Sequence, residues 1–145
     1  MFLEEVEGGL DNGNGNDFEL SRLILVWSFE EGDKKTRDGV QEAVENVIKE
    51  YPEAAKSSVS TLVELLEGDE DDLRRYASGI IKEISEEYPK ALEDEIDSLL
   101  DALSDTDETV RENAESSLTN VAEEVPDKVV GGFAEKSEKG IVSGD

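Results

Sequence analysis

The sequence predicts an all-α chain: a short right-handed α-solenoid (an α-α superhelix) of about three helix pairs with capping segments. Three observations lead there. Arg37, Arg74 and Arg111 stand 37 residues apart. Pro52, Pro89 and Pro126 keep the same interval. Apolar columns repeat with them: Val40, Ala77 and Ala114; Val44, Ile81 and Leu118; Val47, Ile84 and Val121. Within one copy these positions fall at i, i+4 and i+7, a single buried stripe of a helix. A unit that recurs in this way buries its apolar face against its neighbours and forms a stacked array.

Composition bounds the rest. A chain of 145 residues suits one compact domain or one short array. Lys plus Arg number 14 against 39 Asp plus Glu, a net charge of -25 that repels itself in the compact state. Disorder is argued against by an apolar content of 36% with clear periodicity. A nucleic-acid mimic and adaptation to a salty cytosol remain as readings. The acids are spread over every segment, which favours salt adaptation and a halophilic microbe, since molar salt shortens screening to about 3 Å. The chain has no Cys and no His. That removes disulfides, thiolate zinc sites, the commonest general base and the commonest transition-metal ligand, so no cofactor and no metal site are expected. The longest apolar run, 23–27, is too short to span a membrane, and no signal peptide opens the chain. A cytoplasmic, membrane-free protein is expected. Nucleic acid is not expected as a partner, because affinity for phosphate backbones comes from Lys and Arg.

In chain order, residues 1–17 form an N-terminal capping segment and loop. Phe2, Leu3, Val6 and Leu10 fall at roughly helical spacing, and Gly8-Gly9 end that turn. The DNGNGND loop at 11–17 resembles a fragment of a glycine-rich calcium repeat. It is one imperfect copy and fits no EF-hand register, so it reads as linker. Residues 18–30 read as a helix apolar on two faces. Phe18, Leu25, Val26 and Phe29 match, 37 residues back, the columns that follow Pro52, so this is the first copy of the Pro-initiated helix. The other face carries Leu20, Leu23, Ile24 and Trp27, where later copies carry Ser57, Ser60, Thr61 and Glu64, then Asp94, Asp97, Ser98 and Asp101. Either Phe2, Leu3 and Val6 cap that face, or Leu20, Ile24 and Trp27 meet a partner.

The repeat domain is expected over 18–135. It holds three pairs, 18–51, 52–88 and 89–125, and a partial fourth helix at 126–135. Each Pro sits in a first helical turn and separates two helices. Acidic turns at 68–72 and 105–108 supply caps and favourable charge at helix N-termini. The fourth helix is expected to fail, because Gly131-Gly132 weaken it and Lys136 and Ser137 take the columns of Leu99 and Leu100. Residues 136–145 are expected to be a flexible tail.

These units resemble HEAT repeats. The resemblance rests on an apolar first helix such as SSVSTLVELLEGD, an acidic turn, and a second helix opening LRRYA or VRENA. The hydrophobic–Arg pair that opens the second helix is Leu73-Arg74 and Val110-Arg111, with Thr36-Arg37 in the degenerate first copy. The period is a little shorter than usual for HEAT units and longer than tetratricopeptide or ankyrin periods. The acidic composition makes the chain similar to haloarchaeal HEAT-repeat proteins. The resemblance implies a solenoid that binds other macromolecules and no single reaction.

Two sets of site residues follow. Arg37, Arg74 and Arg111 each stand four residues after an acid, Asp33, Glu70 and Asp107, and read as a structural ladder. They pair within their own helix or with a turn acid of the next repeat. Tyr51 and Tyr88 read as helix-end packing with the hydroxyl toward water. The faces of the second helices opposite their buried stripes would line the concave surface. They carry Asp38, Glu42, Glu45 and Lys49; Arg75, Gly79, Lys82 and Glu86; and Glu112, Ser116, Thr119 and Glu123. Arg75 and Lys82 form a small basic spot beside Gly79, which leaves room for close approach. The expected function is a non-enzymatic scaffold or adaptor for a protein partner, itself a monomer or weak homodimer. The alternative is a regulatory or structural subunit docking through the first helix. A HEAT-like DNA glycosylase or lyase-related enzyme fits badly with -25 charges and one Trp.

Overall fold

The computed structural model describes residues 34–142, and all of its regular structure is helical. The helices are α1 (Lys34–Glu50), α2 (Pro52–Leu66), α3 (Asp71–Glu87), a 3-10 helix (Pro89–Leu92), α4 (Ile96–Ala102), α5 (Glu108–Glu124) and α6 (Pro126–Val142). The expected elements of 1–17 and 18–30 lie outside the described residues. So do Leu20, Ile24, Trp27 and Asp33, and the Arg37 side chain.

Local chemistry accounts for the boundaries. Pro52 occupies the first turn of α2 behind an extended Tyr51. Asp107 caps α5 by accepting from the Val110 N–H at 3.2 Å. Glu70 stands at the start of α3 but makes no side-chain cap; Asp71 and Asp72 put charge in the first turn instead. The repeated columns form the core. Ile48, Leu62, Ile80, Ile81, Ile84, Leu92, Leu99, Val110 and Val121 are wholly buried. Each such side chain contributes on the order of 1.5–3 kcal/mol by leaving water.

Helices α1, α3 and α5 pack side by side as one layer. The second layer holds α2, the 3-10 helix with α4, and α6. Within it α2 meets the 3-10 helix and α4 meets α6, while each element also packs on its neighbour in the first layer.

Two expectations change. The helix expected to run on from Pro89 breaks after Leu92 and restarts at Ile96. The column filled by the fully buried Ser58 of α2 carries Glu95 in this copy. A carboxylate in that column would lose its water, and the break keeps it half-buried. Burial still pushes the Glu95 carboxyl above its usual value, helped by Asp94 and Glu67. The second change is at the C-terminus, where α6 does not fail at 135 but continues to Val142. Gly132 is the reason it can pack. A Cβ there would stand 2.9 Å from Ile96 Cγ2 and 3.1 Å from Leu100 Cδ1, so the glycine lets α6 press onto α4. Lys136, in the column of Leu99, pairs with Asp101 at the helix surface.

Candidate functional site

The layer of α1, α3 and α5 is held by cross-helix hydrogen bonds that also fix its outer face. Arg74 is the central rung. Its Nε donates to Asp105 Oδ2 at 2.9 Å, its Nη2 to Asp71 Oδ1 at 2.6 Å and its Nη1 to the Gly68 carbonyl at 3.1 Å. Burial works against the charge, yet the bonds to Asp105 and Asp71 outweigh it and the pKa is raised. Arg111 reaches back to the Asp105 carbonyl at 2.8 Å. The ladder therefore runs through the turn acid of the next repeat and not through the acid four residues earlier. At Glu70 it is the backbone carbonyl that accepts, from the Arg74 N–H at 3.0 Å.

Asp107 pairs with Arg75, whose Nε donates to Asp107 Oδ2 at 2.7 Å and whose Nη1 donates to Asp72 Oδ1 at 2.8 Å. As the cap of α5, Asp107 accepts from the Val110 N–H with one oxygen and from Arg75 of the preceding helix with the other. The bond from Arg75 holds its carboxyl below the usual value, aided by the Val110 N–H. Arg75 is thus a second rung, paired with carboxylates on both sides.

Two further rungs were not read from the sequence. Asn113 Nδ2 donates to Ser78 Oγ, and Asn120 Nδ2 donates to Ser85 Oγ, both at 3.0 Å. The serine hydroxyls donate in turn to the carbonyls of Arg75 and Lys82. All of this lies between α3 and α5. The signal was present as Ser78 and Ser85 against Asn113 and Asn120, two helical turns apart on each helix.

Between α1 and α3 and the start of α5 lies an open cleft of about 430 Å³. It brings together Asp38, Glu45, Arg75, Gly79, Lys82 and Glu86, predicted from the outward faces, with Gln41, Tyr76, Glu83, Thr109 and Asn113. Glu112, Ser116, Thr119 and Glu123 of α5 do not line it. Tyr76 donates its hydroxyl to Asp38 across the α1–α3 gap. Gly79 lies under the Gln41 amide: a Cβ there would stand 2.9 Å from Gln41 Nε2. Gln41 Nε2 donates to Glu45 Oε2 at 3.0 Å. Lys49 bridges to Glu83 at 3.6 Å. Burial pushes the Glu83 carboxyl up; Lys49 opposes this, and Glu45 and Glu86 add to it. Lys82 is half-buried on the cleft wall and makes no ion pair among the described residues. Tyr88 sends its hydroxyl to the Lys49 carbonyl at 2.6 Å, so it ties neighbouring copies together, whereas Tyr51 is exposed.

No family model matches the chain, and no curated protein matches it. Among solved structures, the crystal structure of an engineered protein from the Northeast Structural Genomics Consortium is similar over 88% of this chain. The TM-score is 0.59 at 19% identity, and the chain spans about half the length of that protein, 54%. At that identity the likeness speaks to the fold alone.

Proposed function

We propose that the chain is a HEAT-like α-solenoid that acts as a non-enzymatic adaptor, binding a protein partner through the outer face of α1, α3 and α5 in the cytoplasm of a halophile. The 37-residue recurrence and the two-layer packing support the solenoid. One observation carries the binding face: among the described residues Lys82 stands without an ion pair in a cleft where Arg75, Asp38 and Glu83 are already engaged by neighbouring helices. A partner carboxylate seated on Lys82 would meet a surface that needs no rearrangement. The test is capture in molar salt by the immobilised chain from an extract of its host. Lys82→Glu breaks no bond within the described residues, so helicity stays the same and the captured protein is lost. Capture unchanged by Lys82→Glu would remove the cleft from the account.

A second reading, docking through the outer face of the 18–30 helix, is favoured by its columns. Leu20 and Trp27 share columns with Ser57 and Glu64, then Asp94 and Asp101, of which Glu64, Asp94 and Asp101 are exposed, while the column of Ile24 holds buried Thr61 and half-buried Ser98. Deleting residues 1–10 separates the cases: a chain that becomes self-adhesive had that face capped from within.

A further inference from the structure

Helix α6 carries a second apolar face. Its inner side sets Val129 and Gly132 into the core. On the other side Val130 is 66% and Phe133 47% exposed, and Ala134 and Ser137 are exposed beside them. These four positions fall at i, i+3, i+4 and i+7, one continuous uncharged stripe. The equivalents of Val130 and Ala134 in the earlier copies are Lys56 and Ser60, then Glu93 and Asp97. The stripe departs from the earlier copies at Val130 and Ala134, while Phe133 and Ser137 take the core columns of Val59 and Val63, then Ile96 and Leu100. Gly131 borders it, and a Cβ there would meet nothing within 4 Å. A glycine inside a helix costs stability, and the packing of this chain gives no return for it at Gly131.

We infer that this stripe pairs with the same stripe of a second copy of the chain, two α6 helices meeting about a two-fold axis. Charge selects the occupant. Helix α6 balances Lys128, Lys136 and Lys139 with Asp127, Glu135 and Glu138, in a chain of net charge -25. Lys128 and Lys136 are tied to Glu93 and Asp101 of the preceding copy. The stripe thus presents a neutral surface, which offers a strongly charged partner nothing to pair with. A second copy brings neutral against neutral and keeps the acidic helices α3 and α5 at a distance. A two-fold contact would set the Phe133 ring of one copy beside Gly131 of the other, where a Cβ would meet nothing within 4 Å. Four residues per copy fall short of a standard interface of about 800 Å² per partner. The dimer is accordingly weak. Salt promotes it, by screening the charge of each copy.

Sedimentation equilibrium of the full chain at roughly 0.1 M and roughly 1 M salt tests this. The expected result is a monomer in dilute salt and a rising share of dimer in concentrated salt. Phe133→Glu, with helicity unchanged because the ring is exposed, stays monomeric in both. The chain has no cysteine of its own, so Ala134→Cys should oxidise to a covalent dimer in concentrated salt while Ser60→Cys on α2 does not. A wild-type monomer in concentrated salt overturns the inference, as does a dimer that Phe133→Glu leaves intact. A chain that dimerises only after removal of residues 1–17 places that segment on the stripe, and this overturns it too.

Discussion

The two helical layers are stitched at the same interval by different chemistry. In the layer of α1, α3 and α5 the rungs at this interval are Ser78 with Asn113 and Ser85 with Asn120. In the other layer they are Glu93 with Lys128 and Asp101 with Lys136. Every one of these pairs is 35 residues apart, so the repeat sets which positions face each other and the residue types set the bond. Neutral bonds to buried serines are indifferent to salt. Exposed lysine–carboxylate pairs are screened by it. The layer that carries the candidate face thus holds salt-indifferent rungs beside its charged ones, Arg74 with Asp105 and Arg75 with Asp107.

Removing the charged rung of the first layer should have the largest effect. Arg74→Ala leaves Asp105 and the Gly68 carbonyl without their partner and is expected to cost about 3–5 kcal/mol in urea unfolding, in low and high salt alike. A loss that disappears in high salt would make this rung no different from the lysine pairs. Next comes the packing of the second layer. Gly132→Ala drives a methyl into Ile96 and Leu100 and should cost about 1–3 kcal/mol. Gly131→Ala, one residue away with open space, should instead stabilise the monomer by up to about 1 kcal/mol. Equal effects at the two glycines would contradict the inward placement of Gly132.

The rungs themselves can be set against each other. Asn120→Ala should cost about 1 kcal/mol at any ionic strength. Lys128→Gln should cost less in dilute buffer and nothing measurable in molar salt. The smallest effect concerns Glu83. Its folded pKa is raised above the usual 4.5, mainly by burial, so its contribution favours the folded state below 4.5 and is lost as pH rises through the folded value. Glu83→Gln should therefore stabilise the protein slightly at neutral pH, with the gain vanishing as pH falls below 4.5. Destabilisation at neutral pH would mean that the Lys49 bridge outweighs burial.

Much of the fold was legible because the sequence repeats itself. One apolar column read three times is firmer than any single helix signal, and the buried faces of α3 and α5 follow it at Ala77, Ile81, Ile84, Ala114, Leu118 and Val121. What escaped depended on a neighbour. Glu95 interrupts a helix only because its column is buried, which needs the packed layer to be seen. Gly131-Gly132 read as two helix breakers, yet one of them is a contact surface. Of the two pairings open to the Arg column, Arg74 takes the turn acid of the next repeat, Asp105, while Asp107 pairs with Arg75 and Arg111 bonds a carbonyl. Lys82 and Gly79 both line the cleft, as their outward columns implied, and what the sequence did not show is that Gln41 of α1 reaches over Gly79. The 18–30 face, with Leu20, Ile24 and Trp27, lies outside the described residues.

The central claim is that the face of α1, α3 and α5 receives a partner. Hydrogen–deuterium exchange on the captured complex in molar salt tests it most directly. The account predicts slowed exchange confined to the cleft-lining turns around Gln41 and from Arg75 to Glu86, with α2 and α4 unchanged. Protection that falls on the second layer or on residues 1–33, with the cleft exchanging as in the free chain, would contradict it.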